Sequence, residues 1–200
     1  MKQIIIGTTN QAKIDQLRGA LTPLGITVIG LPADRDFNEV KEDGSTAQVN
    51  AKKKALAYAK DLGQAVLSMD NALYLEGLAP EQQPGLNVRR IPGGTDRPTD
   101  QAMTDYYQDL IAGLGDKING HWEFAICVAW PDGTTKETTI ISPRIFVSQP
   151  SLQTVPGYPL ESLQIDPIDE KYIAEMTPNE QAAFWQRTIG QPLGQFIENL

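Results

Sequence analysis

Residues 3–22 read QIIIGTTNQAKIDQLRGALT, and their pattern decides the fold class. Three consecutive isoleucines, Ile4 to Ile6, form a short apolar run that predicts a buried strand. Thr8, Thr9 and Asn10 then make a polar turn, with Asn10 placed as an N-cap. Ile14, Leu17 and Leu21 follow at helical spacing, and Pro23 with Gly25 ends that helix. Ile26 to Ile29 predict a second strand. A strand, a tight turn, a helix and another strand open an α/β protein. The expectation is one α/β domain over residues 1–200, with a mixed central sheet, flanking helices, a second smaller lobe and a cleft between the two.

Further along, Glu42 to Ser45 predict a turn and residues 46–61 a helix closed by Gly63. Val66 to Met69 read as a strand, with Asp70, Asn71 and Ala72 at its C-terminal edge. Residues 76–98 read as a loop, 99–113 as a helix, and 148–171 as irregular chain. Pro131-Asp132-Gly133 marks a hairpin between 121–130 and 134–147. Thr177-Pro178-Asn179-Glu180 is a capping box with proline at the first helical position. It predicts a helix towards Arg187, with another turn or two after Pro192.

The chain has 200 residues, 40% of them hydrophobic and 21% charged, which is a globular composition. Seventeen basic against 25 acidic side chains give a formal charge of -8, which argues against a nucleic-acid polymer as partner. A small phosphorylated ligand remains compatible with that charge if a few cations gather locally. Cys127 is the only cysteine and His121 the only histidine, so neither a disulfide nor a Cys/His zinc site can form within the chain. His121, beside Trp122 at a predicted strand start, reads as structural. The opening residues do not resemble a signal peptide, and no run approaches the ~18 apolar residues of a membrane span. The expectation is a soluble cytoplasmic protein with no membrane partner.

Three polar segments carry the chemistry. Gly7 to Lys13 follows a strand and opens a helix, where backbone N–H groups favour an anion, and Thr8, Asn10 and Lys13 add donors and charge. The plain alternative is a capped helix with a solvated lysine. In 42–54, Asn50 and Lys54 share a helix face, while Lys52 and Lys53 read as solvated. Asp70, leaving a buried strand, can meet Glu42 around a hard cation such as Mg²⁺, or can simply belong to a turn.

These residues bring out a family. The chain resembles the inosine/xanthosine triphosphate pyrophosphatases nearly end to end. The opening motif T-x-N-x-x-K stands as Thr8-Thr9-Asn10-Gln11-Ala12-Lys13. The long motif E-x-G-x-T-x-x-x-N-A-x-x-K-A is complete from Glu42 to Ala55. The motif D-D-S-G-L becomes Met69-Asp70-Asn71-Ala72-Leu73, and P-G-x-x-S-A-R keeps Pro84, Gly85 and Arg89. The base loop G-F-G-Y-D-P is matched by Gly157-Tyr158-Pro159-Leu160-Glu161-Ser162. K-x-x-A-E-[LM] is present as Lys171 to Met176, and S-H-R-G becomes Trp185-Gln186-Arg187-Thr188.

The resemblance implies Mg²⁺-dependent hydrolysis of ITP, dITP and XTP to the monophosphate and pyrophosphate. It implies triphosphate contacts from Thr8, Asn10, Lys13 and Lys54 with Lys171 nearby, further substrate contacts from Asn50 and Asn71, a Mg²⁺ pair of Glu42 and Asp70, and Asp70 as general base. Tyr158 would stack on the purine while Glu161, Gln186 and Arg187 read its edge. A homodimer is also implied. The apolar stretch 121–147 suits a dimer face and equally a hairpin packed on the core. Met69, Ala72 and Gln186 depart from the pattern. They leave two other readings open: a nucleotide-binding module with weak or no catalysis, and a pyrophosphatase with altered base preference.

Overall fold

The structure is a computed structural model that describes residues 3–33, 35, 37, 40–92 and 98–200. Residues 93–97 of the expected loop therefore lie outside the described residues. Six strands are ordered β2-β1-β3-β4-β5-β6 in one sheet. They are β1 (Gln3–Ile6), β2 (Thr27–Ile29), β3 (Val66–Leu75), β4 (Lys117–Ala129), β5 (Thr135–Val147) and β6 (Gln164–Ile165). Strand β1 pairs in parallel with both β2 and β3, and β5 pairs antiparallel with β6, so the sheet is mixed as expected. The helices are α1 (Gln11–Leu21), α2 (Ala47–Leu62), α3 (Asp100–Gly113), α4 (Pro178–Trp185) and α5 (Gln191–Glu198). No helix among the described residues is long and apolar enough to cross a membrane.

The helix ends follow local chemistry. Asn10 caps α1 by accepting from the Lys13 N–H, Thr46 caps α2 from Val49, and Thr99 caps α3 from Ala102. Gly63 ends α2 in the left-handed conformation at φ 65°, where a side chain would be strained. At α4 the capping box closes both ways: the Thr177 N–H donates to Glu180 Oε2 at 2.7 Å, and the Glu180 N–H to Thr177 Oγ1 at 3.4 Å.

By its packing the chain divides into two compact units. The first comprises Met1–Asn71, Glu123–Ile140 and Ala182–Leu200; the second comprises Ala72–Trp122 and Ile141–Gln181. In the first unit Ile4, Ile6, Leu17, Leu21, Val66 and Leu67 are buried. Helix α2 adds Ala47, Ala51, Ala55 and Ala59, all buried and spaced by four, so small side chains form one stripe along its axis. The adjoining stripe is Asn50, Lys54 and Tyr58, and it too is buried. In the second unit Leu73, Leu75, Met103, Tyr107, Ile111, Phe146, Leu160 and Leu163 form one apolar cluster.

Four expectations need correcting. Strand β3 does not stop at Met69 but runs to Leu75, so Asp70, Asn71 and Ala72 lie inside it. An Asp-Asn pair normally favours turns; here buried partners for Asp70 override that preference. Strand β4 begins at Lys117, which places His121 within the strand, its ring stacked on Tyr74 at 5.3 Å. The segment 148–171 contains a 3-10 turn, Pro159–Leu163, and the short strand β6. The helix towards Arg187 also ends early, continuing as a π turn, Gln186–Gly190, before α5.

Candidate active site

The first unit gathers five of the expected residues. Lys54 projects from the buried polar stripe of α2 and is 5% exposed. An ammonium this deep is costly unless paired, and it is heavily paired. Its Nζ donates to Glu42 Oε1 at 3.0 Å and to the Met69 carbonyl at 3.2 Å, and lies 3.5 Å from Asp70 Oδ1. Lys13, from the first turn of α1, reaches Asp70 Oδ1 at 3.5 Å and donates to the Met69 carbonyl at 3.5 Å. Asn50 donates from Nδ2 to Asp70 Oδ2 at 3.0 Å and accepts the Gly44 N–H on Oδ1 at 2.8 Å.

The topology explains why lysines meet a strand. The last β1–β3 partners are Ile6 and Leu67, and β1 ends there. Strand β3 continues past it, and the two ammonium groups meet the Met69 carbonyl beyond the paired stretch. The site therefore sits beyond the carboxyl end of β1, where α/β sheets place ligands, although Asp70 itself is inside β3. Crowding pulls the Lys13 ammonium below the ordinary lysine value. Burial acts first and the charge of Lys54 second, with Asp70 and Glu42 opposing them.

Thr8 and Asn10 stand at the start of α1. Thr8 Oγ1 accepts the Asn10 N–H at 3.2 Å, and Asn10 Oδ1 accepts the Lys13 N–H at 3.3 Å. The Thr8 hydroxyl and the Asn10 amide N–H groups keep donor capacity beyond these bonds. Asn71 Oδ1 is buried with no hydrogen-bond partner among the described residues. Lys52 is half-buried and Lys53 exposed, and they pair with Glu137 and Asp43 at 2.7 and 2.6 Å, which fits a largely solvated face.

Gln186 and Arg187 open the π turn, also in the first unit. Arg187 lies over the Phe184 ring at 5.9 Å. Gln186 folds back so that its Oε1 fills the space beside Gly190, where a Cβ would fall 2.6 Å away. That oxygen is buried and has no hydrogen-bond partner among the described residues.

In the second unit, Tyr158 immediately precedes the 3-10 turn Pro159–Leu163 and Glu161 lies inside it. Glu161 is 7% exposed, and its Oε2 has no hydrogen-bond partner among the described residues. Burial pushes its carboxyl up to about 7, while the charge of Arg144 acts in the opposite direction. Arg89 donates to the Gly157 carbonyl at 2.7 Å, and the Gly157 N–H donates to Asp100 Oδ2 at 2.7 Å. Both ends of that glycine are thus held. Lys171 donates to Glu180 Oε2 at 2.8 Å, which ties it to the capping box of α4.

Arg144 is the charged residue that the sequence reading passed over. It is 2% exposed and donates from Nη1 to Ser142 Oγ and the Pro143 carbonyl, each at 2.7 Å. The signal was available in the strand period. Ile140, Ser142, Arg144 and Phe146 alternate along β5 and are all buried. The bond from Asn50 to Asp70 was also invisible, because it spans 20 positions and two elements.

Among the described residues, no cluster of three or more His, Cys, Asp or Glu side chains could hold a metal. Glu42 and Asp70 nevertheless converge on one positive group, the Lys54 ammonium, at 3.0 and 3.5 Å. Two hard oxygen donors already gathered around a cationic group suit Mg²⁺, which commonly takes one or two carboxylates and completes its shell from substrate phosphates.

Comparison with known proteins gives this arrangement its context. The Ham1 family model matches residues 4–190. A dITP/XTP pyrophosphatase of Bradyrhizobium is 32% identical over 68% of this chain and 63% of its own length, so the match spans just under two thirds of that relative. One from Exiguobacterium is 32% identical over 96% of this chain and 93% of its own. The Ham1 protein of Staphylococcus aureus shares the fold, with a TM-score of 0.76 and 24% identity over 99% of each chain. The chain belongs to the Ham1 family.

Proposed function

We propose that this protein hydrolyses dITP, ITP and XTP to the monophosphate and pyrophosphate with Mg²⁺. One observation carries the reading: Lys13, Lys54, Glu42 and Asp70 meet around one point, two ammonium groups against two carboxylates. That pattern suits a polyanion accompanied by a divalent cation. The names of the relatives, dITP/XTP pyrophosphatase, support the substrate class.

Lys13 and Lys54 bind phosphate oxygens, with Thr8, Asn10 and Asn71 as hydrogen-bonding groups beside them. Glu42 and Asp70 would hold the cation, which would supply charge neutralisation for the triphosphate. Asp70 accepts a proton from water as the water oxygen bonds to the α-phosphorus. The bond from that phosphorus to the bridging oxygen breaks, and pyrophosphate leaves with the electron pair. Tyr158 stacks on the purine. Glu161, when ionised, accepts the N1–H of a 6-oxo purine, a donor that adenine lacks. These two assignments rest on the base-loop motif and on their own surroundings. Gln186 and Arg187 are assigned to base reading by motif alone, and Lys171 to phosphate by motif alone. The same reading includes a homodimer in the cytoplasm; light scattering at several concentrations tests the dimer.

The deciding experiment offers the protein ITP, dITP, XTP, GTP, ATP, UTP and dTTP with Mg²⁺ and identifies the products. Monophosphate and pyrophosphate from the deaminated purines first is the expected result. Binding of a triphosphate with no turnover over hours would instead favour a module that no longer catalyses.

A further inference from the structure

Asn50 is 2% exposed and joins two functional pieces of the first unit. Its Oδ1 accepts the N–H of Gly44, two residues after Glu42, at 2.8 Å. Its Nδ2 donates to Asp70 Oδ2 at 3.0 Å. Lys13 and Lys54 approach the other oxygen of that carboxylate, Oδ1, each at 3.5 Å. Both oxygens of Asp70 are therefore held, one by charge and one by an amide. The approach at Gly44 is too close for a side chain. A Cβ there would lie 2.6 Å from Asn50 Oδ1 and 2.7 Å from Val49 Cγ1. The glycine and the asparagine of the long motif thus serve one contact. With its oxygen bound by Gly44 and one N–H bound to Asp70, the amide already has a structural use on each side, and one N–H remains.

We propose that Asn50 is a positioning residue: by linking the Gly44 N–H to Asp70 Oδ2, it fixes the carboxylate plane of Asp70 and the place of the Glu42–Gly44 segment beside it. This inference rests on the reading of Asp70 and Glu42 given above. A carboxylate free to rotate would present the wrong lone pair to water, and a misplacement of about 1 Å costs on the order of 10²-fold in rate.

The test is Asn50→Asp, which keeps the shape and the acceptor for Gly44 but places a carboxylate oxygen where the amide donor stood. It faces Asp70 on β3, among the charges of Lys13 on α1, Lys54 on α2 and Glu42. With dITP at pH 8, kcat should fall on the order of 10²-fold while KM stays within about twofold. The Tm of Asn50→Asp should also fall below that of wild type, because a carboxylate then faces Asp70 with no donor between them. Gly44→Ala should also lower kcat with KM kept. A kcat within about twofold of wild type in Asn50→Asp, a change confined to KM, or an unaffected Gly44→Ala would each overturn the proposal. If wild type turns over no triphosphate, the functional reading fails, and Tm still decides this one: an Asn50→Asp protein as stable as wild type overturns it.

Discussion

The acidic groups in the two units are held in opposite ways. In the first, Asp70 is surrounded by Lys13, Lys54 and Asn50, all within 3.5 Å. In the second, Glu161 is equally buried, yet its Oε2 lacks a hydrogen-bond partner among the described residues and its carboxyl is pushed up to about 7. One site is assembled and paired in advance; the other holds a carboxyl at a cost. The sequence motifs divide along this line only in part, since Met69 and Asn71 beside Asp70, and Gln186, also depart from the family pattern. The phosphate-side motif from Glu42 to Ala55 is complete, whereas the base loop has Tyr158 for phenylalanine and Glu161 for aspartate. Groups bound into one another by several hydrogen bonds tolerate little change, because each loss leaves a buried partner unsatisfied. A group that waits for its ligand can be exchanged more freely.

The largest expected effect tests the paired side. Asp70→Asn should lower turnover of dITP by about 10²- to 10⁴-fold, the usual worth of a general base, while the circular dichroism spectrum is unchanged. Near-full activity would break the comparison, since the paired carboxylate would then be a structural group.

The next tests the unpaired side. A carboxyl raised from 4.5 to about 7 binds its proton more tightly in the folded state than in the unfolded state. Its contribution is favourable at low pH and is lost as the pH rises through about 7. Glu161→Gln should therefore match wild type near pH 4 and exceed it at pH 8, by up to about 3 kcal/mol in urea unfolding. Discrimination between dITP and dATP should fall in the same variant. A variant less stable than wild type at pH 8 would show that Glu161 is satisfied after all.

The smallest concerns Lys171, whose partner Glu180 is half-exposed in the α4 capping box. Lys171→Ala should leave Tm nearly unchanged and raise KM for dITP a few-fold. An unchanged KM would confine Lys171 to its helix cap and remove it from the phosphate set.

Much of this was legible in the sequence where the determinants are local. Asn10, Thr46, Gly63 and Thr99 cap helices as their residue types dictate. The hairpin turn is equally local: Gly133 adopts φ 87° and Asp132 Oδ1 accepts the Thr134 N–H at 2.9 Å. Elsewhere the determinants are distant. Asp70 and Asn71 read as a turn because their strand conformation is secured from α1 and α2. The π turn at Gln186 follows no local signal; Gly190 lets the chain approach Ala20 on α1, where a Cβ would lie 2.6 Å from the Ala20 carbonyl oxygen. The site was legible as a set of residue types at motif spacing. The geometry that gives Asn50 its partners was not, since its bonds reach Gly44 and Asp70 across separate segments, whereas the burial of Arg144 follows the strand period.

The central claim is that water attacks the α-phosphorus of a deaminated purine triphosphate with Asp70 taking its proton. Hydrolysis of dITP in ¹⁸O-labelled water tests it directly, with mass spectrometry of both products. The account expects the label in the monophosphate and none in the pyrophosphate. Label in the pyrophosphate, or release of orthophosphate as the first product, would contradict it.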